Sequence, residues 1–167
     1  MNKEEVFKYT DYLFKNKMKL IHHITLSVFV KKNENKEKTI DIITSLLPEN
    51  LEKEKIKIEE ESIKIENGED FDILKIKTTK NKHNNKIISI LKEILGEEQI
   101  SLIINDETRV DDEGNLYIRL DKKSLKEKQE AKLVDHGDCY HIKIMIAAYP
   151  KTKAKAIEII KKLFEEQ

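Results

Sequence analysis

The segment IHHITLSVFV, residues 21–30, alternates between two kinds of side chain. Branched and long aliphatic residues take every second position: Ile24, Leu26, Val28 and Val30. The positions between them hold Thr25, Ser27 and Phe29. Because successive residues of a strand point to opposite faces, the alternation predicts a strand with one face buried and the other open.

The same two periodicities, two residues for strands and 3.6 for helices, divide most of the remaining chain into elements. Alternation predicts further strands over residues 55–65, 71–79, 116–120 and 139–149. Helical spacing of apolar residues predicts helices over residues 3–17, 33–48, 82–96 and 151–167. Residues 96–105 fit either a short helix or a buried strand, and residues 122–133 fit either a loop or a frayed helix.

The order of these elements predicts an α+β fold with one mostly antiparallel sheet and helices packed on one face. No strand–helix–strand rhythm repeats through the chain, which argues against a doubly wound α/β fold. No stretch rich in proline, glycine or serine divides the chain, so residues 18–167 are predicted to form one domain. Residues 1–17 are predicted to form a helical extension in front of it.

Charge is balanced overall but unevenly distributed along the chain. Thirty-two basic residues match 32 acidic ones, and this zero net charge argues against a strong nonspecific polyanion binder. Residues 49–70 nonetheless hold four lysines against nine carboxylates, whereas residues 139–162 hold six lysines against one. The C-terminal end is therefore the basic end.

The sequence indicates a cytoplasmic protein with no membrane partner. One cysteine excludes an internal disulfide, and a lone thiol in a lysine-rich chain is typical of a reducing compartment. No apolar run approaches the ~20 residues that span a bilayer. The N-terminus also lacks the apolar core of a secretory signal.

No motif supports catalysis. The four glycines form no phosphate-binding loop, and there is no G-x-S-x-G nucleophile elbow. Cys139 and His141 are predicted to share one strand face, for which a small residue beside a polar one is the simpler interpretation. His22 and His23 are predicted to alternate across the sheet, so they cannot bind one metal together. We therefore expect a noncatalytic protein with no metal and no cofactor.

Two groups of cations are candidates for binding a polyanion. Lys151, Lys153 and Lys155 surround the start of the last helix, where free N–H groups favour a phosphate, although a solvated helix start is the alternative. The second group lies on the predicted open side of the sheet: Lys75, Lys77, Tyr117, Arg119, His141 and Lys143. Such a face can bind single-stranded RNA, but open polar sheet faces are also common without this function.

The only two arginines flank an acidic turn within RVDDEGNLYIRLDKK, residues 109–123. One of them is predicted to pair with the carboxylates of this turn, because a guanidinium group binds carboxylates in a bidentate manner. Arg119 fits ion pairing and RNA binding equally well.

The stretch RVDDEGNLYIRLDKK, with HGD at 136–138 and IKIMIAAYP at 142–150, resembles an archaeal family of predicted exosome-associated RNA-binding proteins. MKLIHHITLSVFV at 18–30 and KAIEIIKKL at 155–163 are similar to that family too. The resemblance implies a fold like that of a 5S-RNA-binding ribosomal protein or a double-stranded-RNA-binding domain. By match it places Arg109, Arg119, Asp121 and Lys122 in the family's motif.

Together these observations predict a protein that holds structured RNA mainly through its phosphates. The predicted contact residues are Lys151, Lys153, Lys155, Arg119, Lys122, Lys123, Tyr117 and Lys143. The resemblance implies exosome-related or ribosome-related proteins as further partners. The alternative is a protein-interaction module without RNA contact, which would dock a partner or a second copy of this chain through the acidic residues 49–70 and the N-terminal helix.

Overall fold

The computed structural model of the protein describes residues 2–5, 8 and 19–165, and its centre is a single five-stranded sheet. The strands are β1 (Ile21–Lys31), β2 (Glu59–Ile63), β3 (Phe71–Thr78), β4 (Asn115–Asp121) and β5 (Cys139–Ile146). They lie in the order β2-β3-β1-β5-β4, and every neighbouring pair is antiparallel. The predicted α+β class with one antiparallel sheet is confirmed.

Helices cover one face of the sheet. They are α1 (Lys36–Ser45), α2 (Asn81–Asn105), α3 (Lys122–Lys128) and α4 (Lys153–Glu165), with a 3-10 turn at Glu107–Arg109. The side chain of Asn35 caps α1 by accepting a hydrogen bond from the Lys38 N–H, and Asp121 caps α3 through Ser124. Most of the predicted N-terminal helix, residues 3–17, lies outside the described residues.

Apolar even-numbered residues of β1, β3, β4 and β5 form the core together with the apolar sides of the helices. On β1 these are Ile24, Leu26, Val28 and Val30, none more than 2% exposed. From α4 the buried residues are Ala156, Ile159, Ile160, Leu163 and Phe164. Ile157 also packs against the core while partly buried, because the apolar stripe of α4 is wider than one residue per turn.

In two segments the structure decides between the alternatives that the sequence left open, and in a third it differs from the prediction. Residues 96–105 continue α2 after a kink at Gly96, whose φ of 73° is left-handed. Residues 122–128 are helical, and Gln129 ends α3 at a φ of 52° where a glycine is usual. The predicted strand over 55–65 is a ladder only at Glu59–Ile63, while Ile56 and Ile58 pack against the core from outside the sheet.

Lys122 is buried at the end of β4 and joins three parts of the chain. Its Nζ donates hydrogen bonds to the Phe29 carbonyl oxygen at 2.6 Å and to Glu34 Oε2 at 2.8 Å, and it lies 3.6 Å from Asp138. Burial works to raise the pKa of Glu34, but the hydrogen bonds from Lys122 and from the Lys31 N–H bring this pKa below its ordinary value. The ammonium group is therefore enclosed by the fold and is not available to a phosphate.

We predict that Lys122→Ala lowers the free energy of unfolding by roughly 2–3 kcal/mol, because Glu34 and the Phe29 carbonyl lose a charged donor in a partly buried setting. Lys123→Ala is the matched control, since Lys123 is exposed beside it and its loss should change stability by no more than about 0.5 kcal/mol. Urea unfolding followed by circular dichroism measures both. Equal midpoints for the two variants would contradict the structural role of Lys122.

Candidate nucleic-acid interface

The odd-numbered residues of the strands lie on the face that the core and helices leave uncovered, here called the open face. Strand register arranges its central part as two rows across four strands. The first row is Lys77, Thr25, Lys143 and Tyr117, and the second is Lys75, Ser27, His141 and Arg119. With neighbouring strands about 4.8 Å apart, each row is roughly 14 Å long. The predicted orientation of these side chains is confirmed.

A shallow concavity of about 340 Å³ lies over these rows. It is lined by Thr25, Ser27, Phe29, Lys75, Tyr117, Arg119, His141 and Lys143, together with the Ile118 and Ile142 positions. Cations, hydroxyl groups and aromatic rings therefore meet in one place although they come from β1, β3, β4 and β5.

The cations of the open face lack carboxylate partners. Among residues 19–165, no ion pair within 4 Å involves Lys75, Lys77, Lys143 or Arg119. Lys143 instead lies 5.9 Å from the centre of the Tyr117 ring. The acidic groups nearest in register are on the edge strand β2, where Glu59 lies opposite Lys75. Lys75 therefore faces the acidic β2 edge, whereas Lys77, Lys143 and Arg119 have no carboxylate opposite them on a neighbouring strand.

Arg109 behaves differently from Arg119. Its guanidinium group lies 3.0 Å from Asp135 and 3.3 Å from Asp106, and its side chain is only 10% exposed. Arg109 therefore pairs with Asp106, which precedes the acidic turn, and with Asp135 from a distant segment, but forms no ion pair within 4 Å with Asp111, Asp112 or Glu113. Arg119, with no such partner in the part of the chain that the structure describes, remains open to a ligand.

The Asp-x-x-Gly-Asn-x-Tyr part of the sequence motif forms a turn. The Asp111 carboxylate accepts hydrogen bonds from the Asn115 backbone and amide N–H groups and from the Tyr117 hydroxyl at 2.9 Å. Burial raises the pKa of Asp111, but these donors overcome it and bring the pKa below its ordinary value. Gly114 has a φ of 82°, and a Cβ there would lie 3.3 Å from Ala156 of α4. The motif therefore fixes how α4 packs against the start of β4.

The predicted α4 group is separate from the open face. Lys151 is exposed, while Lys153 and Lys155 are half-buried in the first turn of α4, where the Thr152 hydroxyl accepts from the Lys155 N–H. Because α4 packs on the core side of the sheet, these lysines belong to the helical layer. Lys122 and Lys123 lie beyond the end of β4, in the first turn of α3. The eight predicted contact residues thus divide among three places, and Tyr117, Arg119 and Lys143 are the ones brought together.

Histidines add titratable groups to the open face. A register shift in β1 between Ile21 and His23 leaves both His22 and His23 off the core face, so the expectation that they alternate across the sheet is wrong. Burial lowers the pKa of His23, with Lys77 and Lys143 adding to the effect. Burial also lowers the pKa of His141, and Arg119 adds to it. Both imidazoles are therefore disfavoured as cations.

Cys139 and His141 meet, with Sγ and Nε2 3.6 Å apart. Burial raises the pKa of the thiol, and burial lowers that of the imidazole. Both effects favour the neutral pair over the thiolate–imidazolium pair that a cysteine nucleophile requires. Elsewhere in residues 2–5, 8 and 19–165 no group of three or more His, Cys, Asp or Glu side chains is placed to hold a metal ion.

Phe29, Thr25 and Ser27 were not among the predicted contact residues. Phe29 is 47% exposed although β1 is the central strand. The alternation of β1 could have identified Phe29, because it places this residue among polar residues on the open side.

Within the described part of the chain, no helix is both long and apolar enough to cross a membrane.

Comparison with known proteins identifies the family. The sequence model of a family described as RNA binding matches residues 23–148, most of the chain. The chain belongs to this family. A protein of Pyrococcus abyssi named as an RNA-binding protein is 26% identical over 148 residues, covering 86% of this chain and 94% of that protein.

Two solved archaeal structures are similar to this family member. A DUF54 protein from Methanothermobacter thermautotrophicus has a TM-score of 0.70 at 27% identity, with 87% of this chain and 99% of that one covered. A DUF54 protein from Archaeoglobus fulgidus has a TM-score of 0.73 at 28% identity, with 86% and 99% covered. The sheet and its helical layer are thus shared with these structures over nearly their full length.

We predict that stability falls as pH drops through about 6.5, the ordinary histidine value, toward 5. Because the folded pKa values of His23 and His141 lie below 6.5, the unfolded chain takes up more protons in this window, which lowers the free energy of unfolding. His23→Gln combined with His141→Gln should remove most of this decrease, whereas the exposed pair His22→Gln and His136→Gln should not. Urea unfolding at several pH values measures the free energy of unfolding. The same dependence of this free energy on pH in both double variants would contradict the role of His23 and His141.

Proposed function

We propose that this protein is a noncatalytic RNA-binding protein and that phosphate contacts on the open face supply most of its affinity. The observation that carries the proposal is the set of four cations on this face that have no carboxylate partner among the described residues. Family membership and the name of the Pyrococcus abyssi relative support RNA as the polyanion. Zero net charge is compatible with this role because the local field, not the total, acts on a bound phosphate.

Lys151, Lys153 and Lys155 are proposed as a second contact region. They lie at the first turn of α4, where the helix dipole favours an anion. Since they belong to the helical layer, a short RNA on the open face would not reach both regions, whereas a folded RNA would. This geometry favours structured RNA with two contact points, and it makes the contributions of the two regions separable.

The salt dependence of RNA affinity tests the proposal. Each phosphate contact steepens the fall of log affinity with log salt by about 0.7–0.9, so Lys75→Ala, Arg119→Ala and Lys143→Ala together should reduce the slope by roughly 2–3. Lys151→Ala, Lys153→Ala and Lys155→Ala together should reduce the slope for a folded RNA and change it little for a short single strand. Fluorescence anisotropy with labelled RNA at increasing potassium chloride gives these slopes.

The matched control removes three lysines from the acidic segment: Lys53→Ala, Lys57→Ala and Lys64→Ala, all exposed. It changes the net charge by the same amount and should leave the slope close to that of the wild type. If this control flattens the slope as much as the open-face variant does, binding reflects total charge and the proposed interface is wrong. If the wild type does not bind RNA at low salt, the proposed function is wrong.

A second candidate function is docking to RNA-processing or ribosome-related proteins, with a groove of about 880 Å³ as the surface that favours it. The groove lies between α1, α2 and the segment around α3, and its apolar side chains include Ile42, Ile94 and Leu125. Central apolar side chains in a polar rim are typical of protein interfaces. The family resemblance supplies the exosome as the partner to test.

Co-elution with a reconstituted archaeal exosome in size-exclusion chromatography tests this second candidate. We expect co-elution of the wild type and its loss in Ile42→Lys with Leu125→Lys, because two charges would have to be desolvated in the groove. The open-face triple variant should still co-elute. Separate elution of the wild type, or loss in both variants, would contradict docking through this groove.

A further inference from the structure

Phe29 is an exposed aromatic ring on the open face, one row beyond Thr25 and Ser27. It is 47% exposed, since β3 lies opposite it at Ile73 whereas the paired register of β1 with β5 ends at Ser27 and His141. Its neighbours are the rings of Phe71, with centroids 5.3 Å apart and planes tilted by 60°, and His141, at 6.0 Å and 51°. Both neighbours are tilted rather than stacked, so neither covers the ring in parallel. A large apolar group in this position gains free energy from any flat ligand that covers it.

The concavity beside Phe29 has the size and chemistry of a small-ligand site. Its volume of about 340 Å³ is at the lower end of the range for ligand pockets, which suits one nucleotide rather than a larger molecule. The hydroxyl groups of Thr25 and Ser27 line it, and neither has a side-chain hydrogen-bond partner among residues 19–165. They can donate to or accept from the edge of a base or a ribose hydroxyl.

The rim of the same concavity carries positive charge. Lys75 and Lys143 line it from β3 and β5, and Arg119 lines it from β4. A nucleotide whose base covers Phe29 would therefore have cations available for its phosphates on more than one side. These three kinds of group match the three parts of a nucleotide. The apolar ring suits the face of the base, the unpartnered hydroxyls suit the base edge or the sugar, and the unpaired cations suit the phosphate.

We infer that the open face holds one unpaired RNA nucleotide, with its base stacked on Phe29 and its phosphates near Lys75, Arg119 and Lys143. This inference rests on the proposed function and adds the form of RNA recognised there. A paired base cannot take this position, because both of its faces are covered by neighbours in the duplex. The ligand is therefore single-stranded, or a loop, bulge or end of a folded RNA. Stacking accepts any base, so little sequence preference is expected at this position.

The test uses the absence of tryptophan from the chain. Phe29→Trp places a single fluorescent indole in the subsite and keeps a stacking surface, whereas Phe29→Leu removes the aromatic face and keeps an apolar side chain. Leu102→Trp is the matched control, because Leu102 is 55% exposed on α2 in the helical layer. The probes are a random-sequence RNA octanucleotide pool, an abasic octamer of the same charge and a fully paired RNA duplex.

We expect Phe29→Leu to weaken binding of the octanucleotide pool about tenfold, the size of one lost base–aromatic stack, with an unchanged salt slope. Its affinity for the abasic octamer and for the duplex should stay within about twofold of the wild type, as no phosphate contact is lost. The fluorescence of Phe29→Trp should be quenched by the pool but not by the abasic octamer. Leu102→Trp should be quenched by neither.

The inference is overturned if Phe29→Leu binds the pool as tightly as the wild type does, or loses affinity for the pool and the abasic octamer equally. It is also overturned if the bound pool does not quench Phe29→Trp. In these cases salt-dependent binding by the wild type would leave the proposed function standing. Absence of wild-type binding to all three probes at low salt would overturn both. A protein ligand at Phe29 would appear as unchanged RNA binding in Phe29→Leu.

Discussion

The pleat of the central strand is the constraint on which the rest of the structure depends. β1 pairs with β3 on one side and β5 on the other, so its alternation is imposed on the register of three strands. In this group the core takes apolar even-numbered residues such as Leu26, Leu74 and Ile142, while Thr25, Ser27, Lys75, Lys77, His141 and Lys143 lie on the opposite face. A slip of β1 by one residue would turn its apolar residues away from the core and bring Thr25, Ser27 and Phe29 toward it. The composition of the open face is therefore set by the same register that forms the core.

The motif that most resembles the family serves the fold more than the interface. Asp111, Asn115 and Tyr117 close a turn, Arg109 pairs with Asp106 and Asp135, and Asp121 caps α3. Lys122, at the end of the motif, is buried against Glu34. Only Arg119 has a charged group directed to an open concavity and without an ion-pair partner in the described chain. A sequence motif can thus identify a family accurately while most of its residues have structural roles.

Periodicity was sufficient to predict the strands, their faces and the antiparallel α+β arrangement. It was insufficient at Ile56 and Ile58, where alternation continues although the chain has left the ladder, because packing against a core does not require strand pairing. Periodicity also failed at His22 and His23, because a β-bulge shifts the alternation of a strand by one residue and the sequence does not show where the bulge lies. Residues 122–128 form a helix whose N-terminus is capped by the Asp121 side chain. The polar composition of this segment does not predict that cap.

The site was predicted only in part, for a physical reason. Tyr117, Arg119 and Lys143 share a face, and strand parity is enough to foresee that. Whether Lys122 or Lys123 is exposed depends on a contact between positions 93 residues apart, which no local pattern encodes. The separation of the α4 lysines from the open face likewise follows from which side of the sheet the last helix covers. Local chemistry could be predicted from sequence, but the grouping of distant cations required the tertiary structure.

Backbone amide chemical shifts during titration with a short single-stranded RNA at low salt test the central claim most directly. If the open face binds RNA, the shifts concentrate on the middle of β1, β4 and β5, around Thr25, Ser27, Arg119 and Lys143, and they reverse when salt is added. Shifts confined to the groove between α1 and α3, or spread evenly over exposed lysines on both sides of the sheet, would contradict it.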